Sequence, residues 1–164
     1  MEAHFTDARI LIAGLGLIGG SIAKALKDAG CRNIEGLDAD AEVLRAARAD
    51  GVILSEFRAD GSRYDCVICS LPPRLVAPLY EQVKESLRPG GVFAEMSGLK
   101  SAVVRDLTGA LAEEHEPLCL HPMAGSEKSG YAHSDAALFR GAPLLHPRRP
   151  RFLNQYSTTG RSLQ

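Results

Sequence analysis

Three glycines stand in the spacing G-x-G-x-x-G, at Gly14, Gly16 and Gly19, and Asp38 follows roughly 20 residues on. This pattern suits the holding of a dinucleotide. Gly14 allows a tight turn out of a strand, and Gly16, having no Cβ, lets a pyrophosphate approach the backbone. Gly19 lets a helix pack close to the sheet. Between them Leu15, Leu17 and Ile18 bring backbone N–H groups to a helix start, where they face phosphates. Asp38 is expected at the adenosine ribose, with capping of the next helix as the alternative. As a ribose ligand it favours NAD over NADP. A carboxylate bonds both ribose hydroxyls and repels a 2′-phosphate, and the next residue is Ala39, not an arginine.

A nicotinamide needs a reacting partner, and His121 is the first candidate. It follows a predicted strand directly, and Pro122 fixes the chain after it. Imidazole accepts a proton near neutral pH, as a hydride leaving a hydroxyl-bearing carbon requires. A histidine satisfied by backbone bonds at a strand end is the competing reading. Glu127 and Lys128, on a glycine-rich stretch, could orient substrate or gate entry, or form an exposed ion pair of little consequence. Ser97 could hydrogen-bond a substrate hydroxyl or His121, or be a turn serine. His4, His115, His133 and His146 show no ligand spacing with any acid or cysteine, so no metal is expected.

These residues need strands to hold them at one edge. The run Ile10-Leu11-Ile12-Ala13 fits a buried parallel strand, and residues 21–29 read as a helix with Ile22, Ala23, Ala25 and Leu26 on one side. A second strand over residues 34–37 ends in Asp38. Asp40 is placed to cap a helix through residues 42–49, closed by Gly51. Residues 52–54 suggest a third strand and residues 66–71 a fourth, which Pro72-Pro73 ends. Ser70 and Pro72 should then lie near the cofactor, or form a plain strand-to-helix turn. Residues 76–87 read as an amphipathic helix, Pro89-Gly90-Gly91 as a turn and residues 92–95 as a fifth strand. A helix over 102–114 capped by Ser101, a sixth strand at 118–120 and a seventh at 142–145 complete the pattern. The sum is an α/β, Rossmann-type doubly wound, mainly parallel sheet.

Composition narrows the function further. With 164 residues the chain can bury a proper core, and its 45% hydrophobic fraction is ordinary. A formal net charge of −1 gives no nucleic-acid footprint. No apolar run approaches the roughly 20 residues that span a bilayer, and the acidic, weakly apolar start is unlike a secretion signal. A cytoplasmic location is expected. Cys66 and Cys69 look like C-x-x-C, but three residues apart on a strand they point to opposite faces. All four cysteines read as small buried hydrophobes, with a redox or zinc role second.

GLGLIGGS at the start, SLPP after the fourth strand, EMSGLKS after the fifth and HPMAGSEKSG after the sixth resemble the prephenate/arogenate dehydrogenase family over roughly residues 9–147. The resemblance implies NAD-dependent oxidative decarboxylation of prephenate to 4-hydroxyphenylpyruvate, in tyrosine biosynthesis. It implies that His121 takes the ring hydroxyl's proton and that Glu127 is an acid at the active-site entrance. Gly14, Gly16, Gly19 and Asp38 match the dinucleotide contacts. One departure touches Ser97. Counting back from Lys100, the family's serine falls on Gly98, so Ser97 would act from one position earlier. The other is length. The family carries a second, mostly helical domain that dimerises and grips the substrate carboxylates, and this chain is expected to end before it. We therefore expect a dinucleotide-binding domain over residues 1–147 and an irregular tail over 148–164. Arogenate as substrate and a non-catalytic NAD-binding module remain the alternatives.

Overall fold

The structure is a computed structural model, and it describes residues 5–61, 63–97, 110–122, 127–142 and 144–145. Six strands form one parallel sheet: β1 Arg9–Ala13, β2 Asn33–Leu37, β3 Ser55–Glu56, β4 Tyr64–Cys69, β5 Leu87–Glu95 and β6 Glu116–Cys119. Their order is β3-β2-β1-β4-β5-β6. The order reverses direction between β1 and β4, and in such sheets ligands bind where that reversal opens a crevice at the carboxyl ends.

Side-chain alternation along β1 divides the core into two layers. Ile10 and Ile12 pack with Ala23 of helix α1 (Leu17–Asp28) and with Leu44 and Ala47 of helix α2 (Ala41–Ala49). Leu11 and Ala13 face the other way, onto Val76, Leu79, Tyr80 and Val83 of helix α3 (Val76–Val83). Cys66 and Cys69 divide in the same manner, one against each layer. Burial pushes the Cys66 thiol up to about 12 and that of Cys69 up to about 11, so both stay protonated and poorly nucleophilic at neutral pH. All four cysteines are free thiols.

Several expectations are corrected. Residues 52–54 are not a strand: Val52 and Ile53 are buried as a plug beside α2, and β3 pairs two residues later. The Leu54 N–H still bonds the Ile34 carbonyl, so the chain joins the sheet edge before its regular pairing begins. The helix expected over 76–87 is shorter, because its last turn tightens to a 3₁₀ turn at Lys84–Ser86. Leu87 already belongs to β5, which runs through Pro89, Gly90 and Gly91 with a register shift against β4 between Tyr64 and Cys66. The seventh strand is Leu144–Leu145 (β8), outside the main sheet. It pairs antiparallel with His121–Pro122 (β7). Ser101 and most of the helix expected after it lie outside the described residues, as do Lys100 and the tail. Leu111 and Ala112 are already non-helical.

Tyr80 ties the α3 layer to the segment before β6. Its ring meets Phe93 edge-on at 5.2 Å, its oxygen accepts the Ala112 N–H at 2.9 Å, and its hydroxyl lies 2.7 Å from His115 Nδ1. Tyr80→Phe leaves both partners unsatisfied in a buried place and should cost about 1–3 kcal/mol in urea unfolding. A loss under about 0.5 kcal/mol would show that water reaches this site.

Candidate functional site

All parallel strands send their carboxyl ends to one edge, and the candidate residues follow those ends. The phosphate loop follows β1, Asp38 follows β2, Ser70 follows β4, Ser97 lies two residues past β5 and His121 two residues past β6. At a spacing of about 4.8 Å per strand, β6 stands about 14 Å from β1, a span suited to an extended ligand rather than a compact one.

Each glycine of the turn does what its spacing suggests. Gly14 has φ +83°, and a Cβ there would lie 2.7 Å from the Ser70 carbonyl oxygen. At Gly19 a Cβ would lie 1.8 Å from the Gly14 carbonyl oxygen, the tightest of these approaches. Gly16 is different, since a Cβ there would meet nothing within 4 Å among the described residues. The bare side of the loop opens outward, as a backbone cradle for a phosphate must. Helix α1 starts at Leu17 with no side chain capping it, and its first intrahelical bond runs from Gly20 N–H to the Gly16 carbonyl. The N–H groups of Leu17, Ile18 and Gly19 thus have no i−4 carbonyl to serve, and the helix dipole adds positive charge there. The Leu15 side chain is fully buried beneath the loop. The Ser70 hydroxyl, beside Gly19, is buried without a hydrogen-bond partner among the described residues. An open cradle, bare helix N–H groups and an orphaned hydroxyl together fit an anionic phosphate group.

Asp38 is not the helix cap. Asp40 performs that task, accepting the Glu42 N–H at 2.9 Å. Asp38 Oδ2 instead accepts the Leu15 N–H at 2.7 Å, and its Oδ1 accepts the Asp40 N–H at 2.9 Å. The carboxylate is therefore locked to the phosphate loop, and each oxygen keeps capacity for one more donor. Beside it a cleft of about 330 Å³ runs between the end of β2 and α3, lined chiefly by Leu37, Ala39, Leu71, Leu75 and Pro78. Leu75 is an exposed large apolar residue on its wall. Sequence reasoning did not assign this cleft. Its signal was the apolar residues clustered just past β2 and β4. Pro72 is exposed and does not line the cleft; its carbonyl accepts the Leu75 N–H in the 3₁₀ turn Pro73–Leu75.

At the far end His121 is half-buried, with Nδ1 buried and without a hydrogen-bond partner among the described residues. Glu95, at the end of β5, is completely buried, and its carbonyl accepts Leu120 N–H, bringing the chain before His121 against β5. β5 and β6 end paired at Glu95 and Cys119, and Ser97 and His121 each follow that pair by two residues. Ser97 does not turn to it, however. Both its N–H and its hydroxyl donate to Glu95 Oε2, at 2.9 and 2.6 Å. That commits the Ser97 proton to Glu95 and leaves only acceptor capacity on the serine oxygen. Glu127 and Lys128 lie on an exposed stretch over residues 127–130, and residues 123–126 between them and β7 fall outside the described set. Among the described residues no cluster of metal-ligating side chains occurs, and no helix is long and apolar enough to cross a membrane.

Parallel sheet, reversal point and glycine turn define a Rossmann-type domain. The model of the prephenate dehydrogenase nucleotide-binding domain matches residues 22–149, and this chain belongs to that family. Prephenate dehydrogenases of Lactococcus lactis and Bacillus subtilis are each 35% identical to it over 140 residues. Those matches cover 82% and 81% of this chain and only 39% and 37% of the relatives, so the chain spans under two-fifths of their length. The crystal structure of Aquifex aeolicus prephenate dehydrogenase with hydroxyphenyl propionate and NAD+ superposes with a TM-score of 0.77 at 28% identity. It covers 87% of this chain and 51% of that one. Synechocystis arogenate dehydrogenase shares the fold, with a TM-score of 0.74 at 21% identity, over 84% of this chain and 49% of that one.

Proposed function

We propose that this chain is the cofactor side of a prephenate dehydrogenase and binds NAD across the carboxyl edge of the sheet. The observation that carries the reading is the open cradle at Gly16, set against the bare start of α1 and joined to Asp38 through Leu15 N–H. In this reading the N–H groups of Leu17, Ile18 and Gly19 hold the pyrophosphate and the Ser70 hydroxyl joins them. Asp38 takes the adenosine ribose, and the apolar cleft beside it receives the flat adenine ring. The binding domain takes in residues 1–147.

When bound, NAD supplies the hydride acceptor. His121 then takes the proton of the substrate's ring hydroxyl. The ketone so formed lies conjugated to the ring, and loss of carbon dioxide aromatises it, giving 4-hydroxyphenylpyruvate and driving the reaction forward. Ser97, its own proton held by Glu95, is an acceptor for a donor on His121 or on the substrate. Glu127 acts at the entrance.

A second reading has its own support. The chain spans under two-fifths of the length of its relatives. A domain that binds NAD and needs a substrate half from elsewhere fits this. Incubation of the purified chain with NAD and prephenate, followed at the NADH absorbance, separates the two readings. Sustained NADH formation supports the first, and binding without turnover the second.

Asp38→Ala should weaken NAD by about 1–3 kcal/mol in calorimetry, the worth of a charge-assisted bond. It should also narrow the preference for NAD over NADP. An unchanged dissociation constant would assign Asp38 to bracing the loop alone.

A further inference from the structure

A fourth glycine, Gly20, follows the three of the phosphate turn, and the dinucleotide chemistry has no use for it. Its surroundings supply one. A Cβ at Gly20 would lie 2.9 Å from Ser134 Cβ and Oγ and 2.9 Å from Tyr131 Cδ2. The segment over residues 131–135 lies directly against the first turns of α1, more than 100 residues away in sequence.

Polar contacts fasten the segment there. Asp135 N–H donates to the fully buried Ser21 hydroxyl at 2.9 Å, and Lys24 Nζ donates to the Ser134 carbonyl at 2.9 Å. The same ammonium stands 4.6 Å from the centre of the Tyr131 ring. Tyr131 reaches past α1 and donates to Asp50, the C-terminal cap of α2, at 3.0 Å. Burial and the Asp50 carboxylate push the Tyr131 hydroxyl well above its ordinary range, so it remains a donor throughout the physiological range. Ser134 Oγ closes the turn on the Tyr131 carbonyl at 2.6 Å. Gly20, Ser21 and Lys24 thus make a seat on the same helix whose first turn faces the phosphates.

Just before this segment come the exposed residues 127–130, with Glu127 among them. We propose that residues 131–135 are a tether fixing the Glu127 stretch to the phosphate-binding helix, with Ser21, Lys24 and Tyr131 as positioning residues for Glu127. The inference rests on reading α1 as the NAD helix and Glu127 as the entrance acid. Its consequence is coupling. A ligand that steadies the start of α1 also steadies the stretch tethered to its next turn, and free energy passes between the two sites in both directions.

The test uses the full 164-residue chain and its tryptic cleavage after Lys128, with and without saturating NAD. NAD affinity by calorimetry and thermal unfolding are measured on the same samples. Tyr131→Phe removes only the hydroxyl that reaches Asp50, and Ser21→Ala removes only the acceptor for Asp135 N–H. Both are small changes that leave the phosphate loop intact, whereas Gly20→Ala sets a methyl against the segment itself. Losing one such bond should raise the open population, and so the cleavage rate, by about three- to tenfold. In the wild type NAD should slow this cleavage. In both variants that protection should shrink while NAD affinity stays within about twofold, a pattern that general loosening of the fold does not produce. Cleavage at the wild-type rate in both variants, or full protection by NAD in both, overturns the tether. If the wild type binds no NAD, the functional reading fails, and the NAD-free cleavage rates still decide whether residues 131–135 hold the Glu127 stretch.

Discussion

His121→Asn is expected to leave NAD affinity within about twofold of wild type and to lower prephenate-dependent NADH formation by about 10²–10⁴-fold, the range for loss of a general base. Asparagine keeps the size and some polarity of imidazole but cannot take a proton near neutral pH. The residue sits two positions past β6, about 14 Å across the sheet from the phosphate turn, so its replacement does not disturb the cofactor cradle. Its Nδ1 has no partner among the described residues, so no structural hydrogen bond at that atom is lost with it. The assay belongs on a sample in which the wild type turns over. Equal turnover in the variant would remove His121 from the chemistry and return it to the role of a strand-end histidine.

Gly19→Ala and Gly16→Ala make the second test, and together they separate fold from binding. At Gly19 the added methyl would stand 1.8 Å from the Gly14 carbonyl oxygen and 3.2 Å from Ser70 Cβ. The first of these is backbone and cannot rotate away, so the loop or the helix must move. The expected cost is about 3 kcal/mol or more, the upper end for overpacking. NAD binding should disappear with it. At Gly16 the methyl meets nothing within 4 Å among the described residues, so unfolding free energy should change by only about 1 kcal/mol, the worth of an N-cap exchange. Yet the methyl stands where the phosphate must approach, and NAD affinity should fall steeply. Denaturant unfolding and calorimetry on both proteins check the pair. If Gly16→Ala binds NAD as the wild type does, the phosphate does not lie on that side of the loop.

What the sequence revealed was local. The strand at β1 and the turn after it were legible because spacing, periodicity and glycine placement agree within 20 residues, whereas α1 begins at Leu17, one turn before the apolar periodicity that reads as a helix from residue 21. Asp40 was legible as a cap for the same reason. The opposed faces of Cys66 and Cys69 were legible from alternation along a strand. Errors arose where a neighbour decided the outcome. Val52 and Ile53 look like strand residues by composition, but they are buried against α2, and pairing waits until Ser55. The run Pro89-Gly90-Gly91 reads as a turn, and it lies inside β5 as an irregularity: Leu87 pairs with Tyr64, the register then shifts, and pairing with β4 and β6 resumes only at Val92. Leu144 and Leu145 read as a further strand of the sheet, and their partner proved to be His121–Pro122 instead. Least legible were contacts between distant parts of the chain. Nothing near Gly20 announces Tyr131 or Ser134, and nothing near Ser97 announces that its hydroxyl belongs to Glu95 rather than to His121.

The central claim is that the turn from Gly14 to Gly19, braced by Asp38, holds NAD. Titration of NAD, and separately NADP, into the purified 164-residue chain by calorimetry tests it most directly. The account predicts one NAD site per chain and distinctly weaker binding of NADP, whose 2′-phosphate would meet the Asp38 carboxylate. No heat of binding for either nucleotide, from a chain shown by circular dichroism to be folded, would contradict it.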